Sequence, residues 1–276
     1  MAVSPDGRTL YVAVSDFNPS VQSDEDKIVA IDVATNDIVD EFYVGTDPER
    51  LDINAEGTQL WAANEDVAQA TGFDLTTGEV LGTFPTGIEP EGAAVSPDGR
   101  FAYITGESSH TLTVIDTDAL EVVTHTLVSQ RPRDVIFSDD GTRAYVSGEI
   151  GGGISVIDTQ AQQVVQTIDL GLDARPVEMV LSNDNARLYV AGGGTSSVYV
   201  IDTETGEVTD VVSEQMGRRP WGIDISPDGT LLYTANGLSD SVSVIDTESL
   251  EVVGNIEAGR GAWGVQVAPL PEGAEQ

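Results

Sequence analysis

The sequence predicts a β-propeller of four-stranded antiparallel blades, and three observations carry that prediction. A unit of forty-odd residues recurs along the 276-residue chain. Every unit consists of short alternating apolar runs separated by turn residues, with no helical periodicity. Each unit also closes its third run on an aspartate, at Asp32, Asp74, Asp116, Asp158, Asp202 and Asp246, spaced 42 to 44 residues apart. Such a period, made only of strands, marks a propeller.

The unit from Arg219 shows how each element arises. Trp221 to Ser226 alternates as a first strand, and Pro227-Asp228-Gly229 turns the chain, with proline pre-setting one backbone angle and glycine accepting the left-handed one. Leu231 to Ala235 is a second strand and Ser241 to Ile245 a third, with its valines on one face. After the turn at Asp246, Glu251 to Ile256 supplies the fourth. The six closing aspartates are expected to bind backbone amides in that last turn, because six copies of one residue cannot all be catalytic. The aromatic residues Tyr11, Trp61, Tyr103, Tyr145, Tyr189 and Tyr233 hold one shared position in the second strand and are expected to pack between blades.

Six complete repeats fit before Ile256, in one domain spanning residues 1–276. One extra strand follows, Ala262 to Ala268. Either six blades close and that strand caps an edge, or the chain derives from a seven-bladed ring and lacks about three strands.

Composition narrows the setting. There are 47 acidic and 12 basic residues, only one of them lysine, Lys27, and the formal charge is −35. Salt screens self-repulsion at this density, so the composition suits a saline, halophilic environment. Nucleic acid is excluded as a partner for want of a basic stripe. The chain has no cysteine, hence no disulfide. No apolar run reaches membrane-spanning length. Met1 is followed at once by a strand, so no export signal precedes the first repeat. The stretch Ser15 to Lys27, with Asp16, Asp24, Glu25 and Asp26, reads as a solvated acidic loop without calcium-loop spacing.

In a four-stranded blade the loop between strands two and three opens on the same face as the blade-to-blade connection. The two loop sets therefore surround the channel mouth, and there the repeats differ. Early blades contribute Glu49, Glu65, Glu91 and Glu107; middle and late blades contribute Arg131, Arg133, Glu149, Arg175, Arg218 and Arg219; Trp221 and Trp263 complete the late sector. Carboxylates facing arginines suit a small polar ligand or a protein partner, with the indoles over its apolar or cationic part. Internal ion pairing, Arg133 with Glu91 or Glu149, is the competing role for the same residues. His110 beside Glu107 is the one acid–base pair in view. No nucleophile–base arrangement is present, which favours a noncatalytic binding or scaffold propeller, or a purely structural cell-surface repeat.

The repeats resemble the YVTN-type propeller repeat, through Tyr233-Thr234-Ala235-Asn236 and Trp61-Ala62-Ala63-Asn64. Ordered loop motifs are similar to those of propeller proteins associated with PQQ-dependent alcohol catabolism: Pro48-Glu49-Arg50, Asn64-Glu65-Asp66, Glu89-Pro90-Glu91-Gly92, Arg131-Pro132-Arg133, Glu149-Ile150-Gly151-Gly152 and Ala262-Trp263-Gly264. That resemblance implies an exported periplasmic or cell-surface protein, accessory to quinoprotein oxidation, whose signal is absent from this chain. The carboxylates Glu49, Glu65, Glu91 and Glu107 also resemble lactonase-type propellers, which hold Ca²⁺ at the channel centre with acidic and amide ligands. The alternative implied is a calcium-dependent hydrolase, with Asn64 and Asn236 as further ligands.

Overall fold

A computed structural model describes residues 1–15, 26–43 and 45–268. Its strands form six four-stranded antiparallel sheets, each paired in sequence order. The first strands are Ala2–Val3, Pro48–Ile53, Pro90–Val95, Pro132–Phe137, Pro176–Leu181 and Pro220–Ile225. The second strands are Thr9–Val14, Gln59–Asn64, Phe101–Gly106, Arg143–Gly148, Arg187–Gly192 and Leu231–Asn236. The third are Lys27–Asp32, Gln69–Asp74, Thr111–Asp116, Gly153–Asp158, Ser197–Asp202 and Ser241–Asp246. The fourth are Ile38–Phe42, Glu79–Pro85, Glu121–Leu127, Gln163–Asp169, Val208–Val212 and Val252–Glu257. First strands of neighbouring blades touch one another, so they line the axis. The acidic stretch from Ser15 falls, apart from its ends, outside the described residues.

The turns follow the chemistry expected of them. Asp32 Oδ1 accepts the amides of Ala34 and Thr35 at 2.9 and 2.8 Å, and Asp74, Asp116 and Asp246 repeat the arrangement. In the first turn, Ser4 Oγ donates to Asp6 and accepts from the Thr9 amide, as do its equivalents at Ser96 and Ser226. Asn54, standing where the others have serine, accepts the amides of Thr58 and Gln59 with its own side-chain oxygen.

The core lies between blades. Five buried apolar clusters join blades 1 and 2, 2 and 3, 3 and 4, 4 and 5, and 5 and 6. Trp61, Tyr103, Tyr145 and Tyr189 are buried in four of these interfaces. Among the described residues no such cluster joins blade 6 to blade 1. Tyr233, Val242 and Val244 on one side, and Leu10 and Val12 on the other, are accordingly half-exposed where their counterparts are buried.

The trailing segment enters this gap. Val95, at the end of the third blade's first strand, donates its amide to Asp52 Oδ2 of the preceding blade at 2.8 Å. Val267 donates in the same way to Asp224 Oδ2 at 2.6 Å, and Gln266 adds a second bond of 2.8 Å. Residues 262–267 therefore sit where a further first strand belongs. They carry no ladder pairing, because among the described residues no second strand stands beside them. A charged acceptor is worth roughly 1.5–3 kcal/mol per bond, so Asp224 is the segment's anchor. Asp224→Ala should release it, and hydrogen exchange should show loss of protection at residues 265–267. Unchanged protection there would mean the segment is held by other contacts.

Candidate functional site

The mouth is built by one backbone device repeated around the ring. The residue before each first-strand proline has left-handed backbone: Asp47 at φ 52°, Glu89 at 54°, Arg131 at 58°, Arg175 at 46° and Arg219 at 56°. None is glycine, so each conformation costs about 1–3 kcal/mol. The compensation is a hydrogen bond from the loop between strands two and three. The amides of Glu65, Glu107, Glu149, Gly193 and Gly237 donate to these five carbonyls at 2.8–3.1 Å. Just inside, the pairing of first and second strands slips at the strand's second residue, and in four of the five at the third as well. Such bulges twist a strand locally and re-aim its side chains. The second residues are Glu49, Glu91, Arg133, Val177 and Trp221, and Trp263 holds that place in the trailing segment.

Arg133 stands at the centre, 8% exposed. Its Nη1 donates to Glu91 at 2.6 Å and pairs with Glu107, while Nε donates to Glu149 at 2.8 Å. Glu149 is in turn ringed by guanidiniums: Arg131 at 3.5 Å, Arg219 at 3.7 Å and Arg175 at 4.0 Å. Arg131 also donates to Glu107 at 2.6 Å. Arg133 and Arg219 both lie over the Trp221 ring, 5.1 and 5.0 Å from its centroid. Trp263 meets Trp221 edge to face at 5.0 Å. At Glu91 burial outweighs the Arg133 charge, and the carboxyl is pushed up to about 8.

Beside this network, carboxyl oxygens of Asp47, Glu49 and Glu65 lie within 4.8 Å of one another. Burial, then the charge of Glu49, pushes Glu65 up to about 8; burial, then Asp47, also raises Glu49. The two are hydrogen-bonded, so at neutral pH the pair shares a proton. Below the mouth a cavity of about 630 Å³ runs from Glu49, Glu91, Trp221 and Trp263 down to Asp52, Ile136, Val180 and Asp224.

Eleven of the twelve residues expected at the mouth lie in these two groups and the tryptophan pair beside them, Arg218 being the exception, and the internal pairs of Arg133 with both Glu91 and Glu149 form. His110 makes no acid–base pair with the Glu107 carboxyl. Its Nδ1 accepts the Arg131 amide at 3.1 Å, fastening the two loops. Two groups escaped sequence reasoning. Asp47 is one, although its place before a recurrent proline was a signal. The other is a charged cluster in the channel, where Arg50 donates to Asp134 at 3.0 Å and pairs with Glu178. These three occupy the third place of their strands, where Gly92 and Gly222 stand elsewhere; a charge inside a buried strand was the clue. Burial raises Asp134 and Glu178, opposed by the Arg50 charge.

Fold and site together define a class: a six-bladed all-β propeller with a dense carboxylate–arginine–tryptophan mouth. A family profile described as "Lactonase, 7-bladed beta-propeller" matches residues 121–255, just under half the chain. No curated protein sequence matches. Among solved structures, Kuenenia stuttgartiensis hydrazine synthase superposes with a TM-score of 0.84 at 21% identity, over 98% of this chain and 89% of that one. A functionally unknown protein from Desulfotomaculum acetoxidans DSM 771 gives 0.80 at 19% identity, over 98% and 88%. At these identities the likeness is one of fold. These matches correct the expected kinship with YVTN-type and PQQ-associated propellers, and with it the quinoprotein association. The physical reason is that a strand reading Tyr-Thr-Ala-Asn and a left-handed residue before proline serve the geometry of a four-stranded blade, so they report the fold and not a particular family.

Proposed function

We propose that the chain is a cation-assisted hydrolase of the lactonase type, acting at the channel mouth. The observation that carries this reading is the Asp47–Glu49–Glu65 carboxylate trio, whose Glu49 lines the cavity. The lactonase profile supports it. The donor set fits a hard cation such as Ca²⁺, being all oxygen. Two buried oxygens without hydrogen-bond partners among the described residues, Thr46 Oγ1 and Asn64 Oδ1, belong to the sequence neighbours of Asp47 and Glu65. Asn236, the other amide expected as a ligand, is instead bound to Ser243 and Thr234.

Bound there, the ion would polarise an ester carbonyl. The chain's own residues supply the rest. The Glu49/Glu65 pair offers one ionised carboxylate to take a proton from water as its oxygen adds to the lactone carbonyl carbon. Glu91, holding its proton at neutral pH, donates to the alkoxide released when the ring C–O bond breaks, giving the hydroxy acid. Arg133 fixes Glu91, and Trp221 with Trp263 walls the cavity with apolar surface.

A pH-stat assay over γ- and δ-lactones should show calcium-dependent turnover, lost on chelation and in Glu65→Gln. A second reading, a noncatalytic binding propeller, is favoured by one observation: the central charges of the mouth satisfy one another. Calcium binding without turnover of any lactone would remove the hydrolase and leave that reading.

A further inference from the structure

We infer that Arg175 and Arg219 form a subsite for an oxyanion, the carboxylate or phosphate group of a small ligand entering the mouth. This rests on the channel mouth being the working site, and it specifies an anionic substrate.

The ring supplies partners to its cations unevenly. Each arginine before a first-strand proline faces the loop of the preceding blade. Arg131 meets Glu107 there and donates to it at 2.6 Å. Arg175 meets Glu149, which Arg133 already engages at 2.8 Å, and is left at 4.0 Å. For Arg219 the preceding loop offers Gly193, and its own loop offers Gly237. Arg219 therefore reaches across to the same Glu149, at 3.7 Å.

Four guanidiniums thus share Glu107 and Glu149, while burial keeps Glu91 uncharged at neutral pH. Among the described residues neither Arg175 nor Arg219 has a side-chain hydrogen bond. Their donors are open to a bidentate acceptor, the geometry that guanidinium offers carboxylates and phosphates. Arg175 is 52% exposed at the side chain and Arg219 29%, so a ligand can reach both. Arg219 is also held over Trp221, which fixes one donor plane and leaves the indole as a wall for the ligand's body. The chain has 47 acidic residues and only 12 basic ones, yet sets four of its arginines around Glu107 and Glu149, two of them over Trp221, which lines the cavity.

Calorimetric titration in EDTA at low ionic strength, with inorganic phosphate in one arm and succinate in the other, tests the subsite. Saturable binding is expected in at least one arm, weakened about tenfold or more in Arg175→Gln and in Arg219→Gln. It should be unchanged in Arg187→Gln, whose guanidinium caps the Thr247 carbonyl instead. Binding in one arm alone assigns the subsite to that chemistry. Binding in neither arm, or binding indifferent to both mouth substitutions in folded protein, overturns it. Glu65→Gln should leave anion binding intact, so loss of the cation-assisted hydrolase reading and loss of the subsite are separate results.

Discussion

Arg133→Met is expected to lower the unfolding free energy by about 3–5 kcal/mol, the range for removing one partner of a buried ion pair. The methionine conserves much of the side chain's volume, so the loss reports charge rather than a cavity. Glu91, Glu107 and Glu149 all face the guanidinium, and all three are buried. Without it Glu107 and Glu149 lose their shared cation and repel one another, and Glu91 loses its donor, in a site from which water is largely excluded. Denaturant unfolding at pH 7.5 measures the loss, which should shrink toward pH 5 as the stranded carboxylates take up protons. Arg133→Lys should recover only part of it, because an ammonium cannot hold Glu149 through one nitrogen and Glu91 through another. The exposed pair Arg100–Asp116, 3.9 Å apart with Arg100 61% exposed at the side chain, is the contrast; its loss should cost under about 1 kcal/mol. Equal costs at the two sites would mean that Arg133 is not the keystone of the mouth.

The second large effect is a pH-dependence of cation binding with a defined sign. Glu65 keeps its proton in the folded protein up to about 8, whereas the ordinary value is 4.5. Between those values the folded state binds more protons than the unfolded one, so this group makes the cation-free protein less stable as pH rises from about 4.5 to about 8. A cation requires the ionised carboxylate. Its binding at pH 7 must expel the shared proton, and its affinity should climb by up to about tenfold per pH unit until about pH 8, then level. Calorimetry in two buffers of different ionisation heat would register the released proton. Thermal unfolding should show calcium restoring, at pH 8, stability that the cation-free protein lost on the way up. Glu65→Gln should abolish both the binding and the proton release. Affinity that stays flat between pH 5.5 and 8.5 would show that the trio is not the cation site.

The repeating parts of this architecture were legible because each repeat solves the same local problem. The serine–aspartate–glycine turns, the aspartates closing the third strands and the buried aromatics of the second strands follow from residue chemistry within a few positions of one another. The mouth was legible by a longer route: once the period is known, equivalent loops must share a face, and that places Glu91 beside Arg133 although 42 residues separate them. Harder to read were contacts made by residues inside strands. Arg50 meets Asp134 across 84 residues, and no short-range pattern pairs them. Tyr11 and Tyr233 read like the other aromatics, yet both are half-exposed. Tyr233 looks onto the gap beside blade 6, and the blade carrying Tyr11 lacks a packed neighbour on its other side.

By itself, then, the sequence determined the blade, its turns and the list of charged groups carried by one rim, because those depend on local propensity and a fixed period. Only the tertiary structure decided which charges neutralise one another, which carboxylates keep a proton and which guanidiniums stay open. Those outcomes depend on distance and burial across several blades, and closing the propeller around its axis is what sets both.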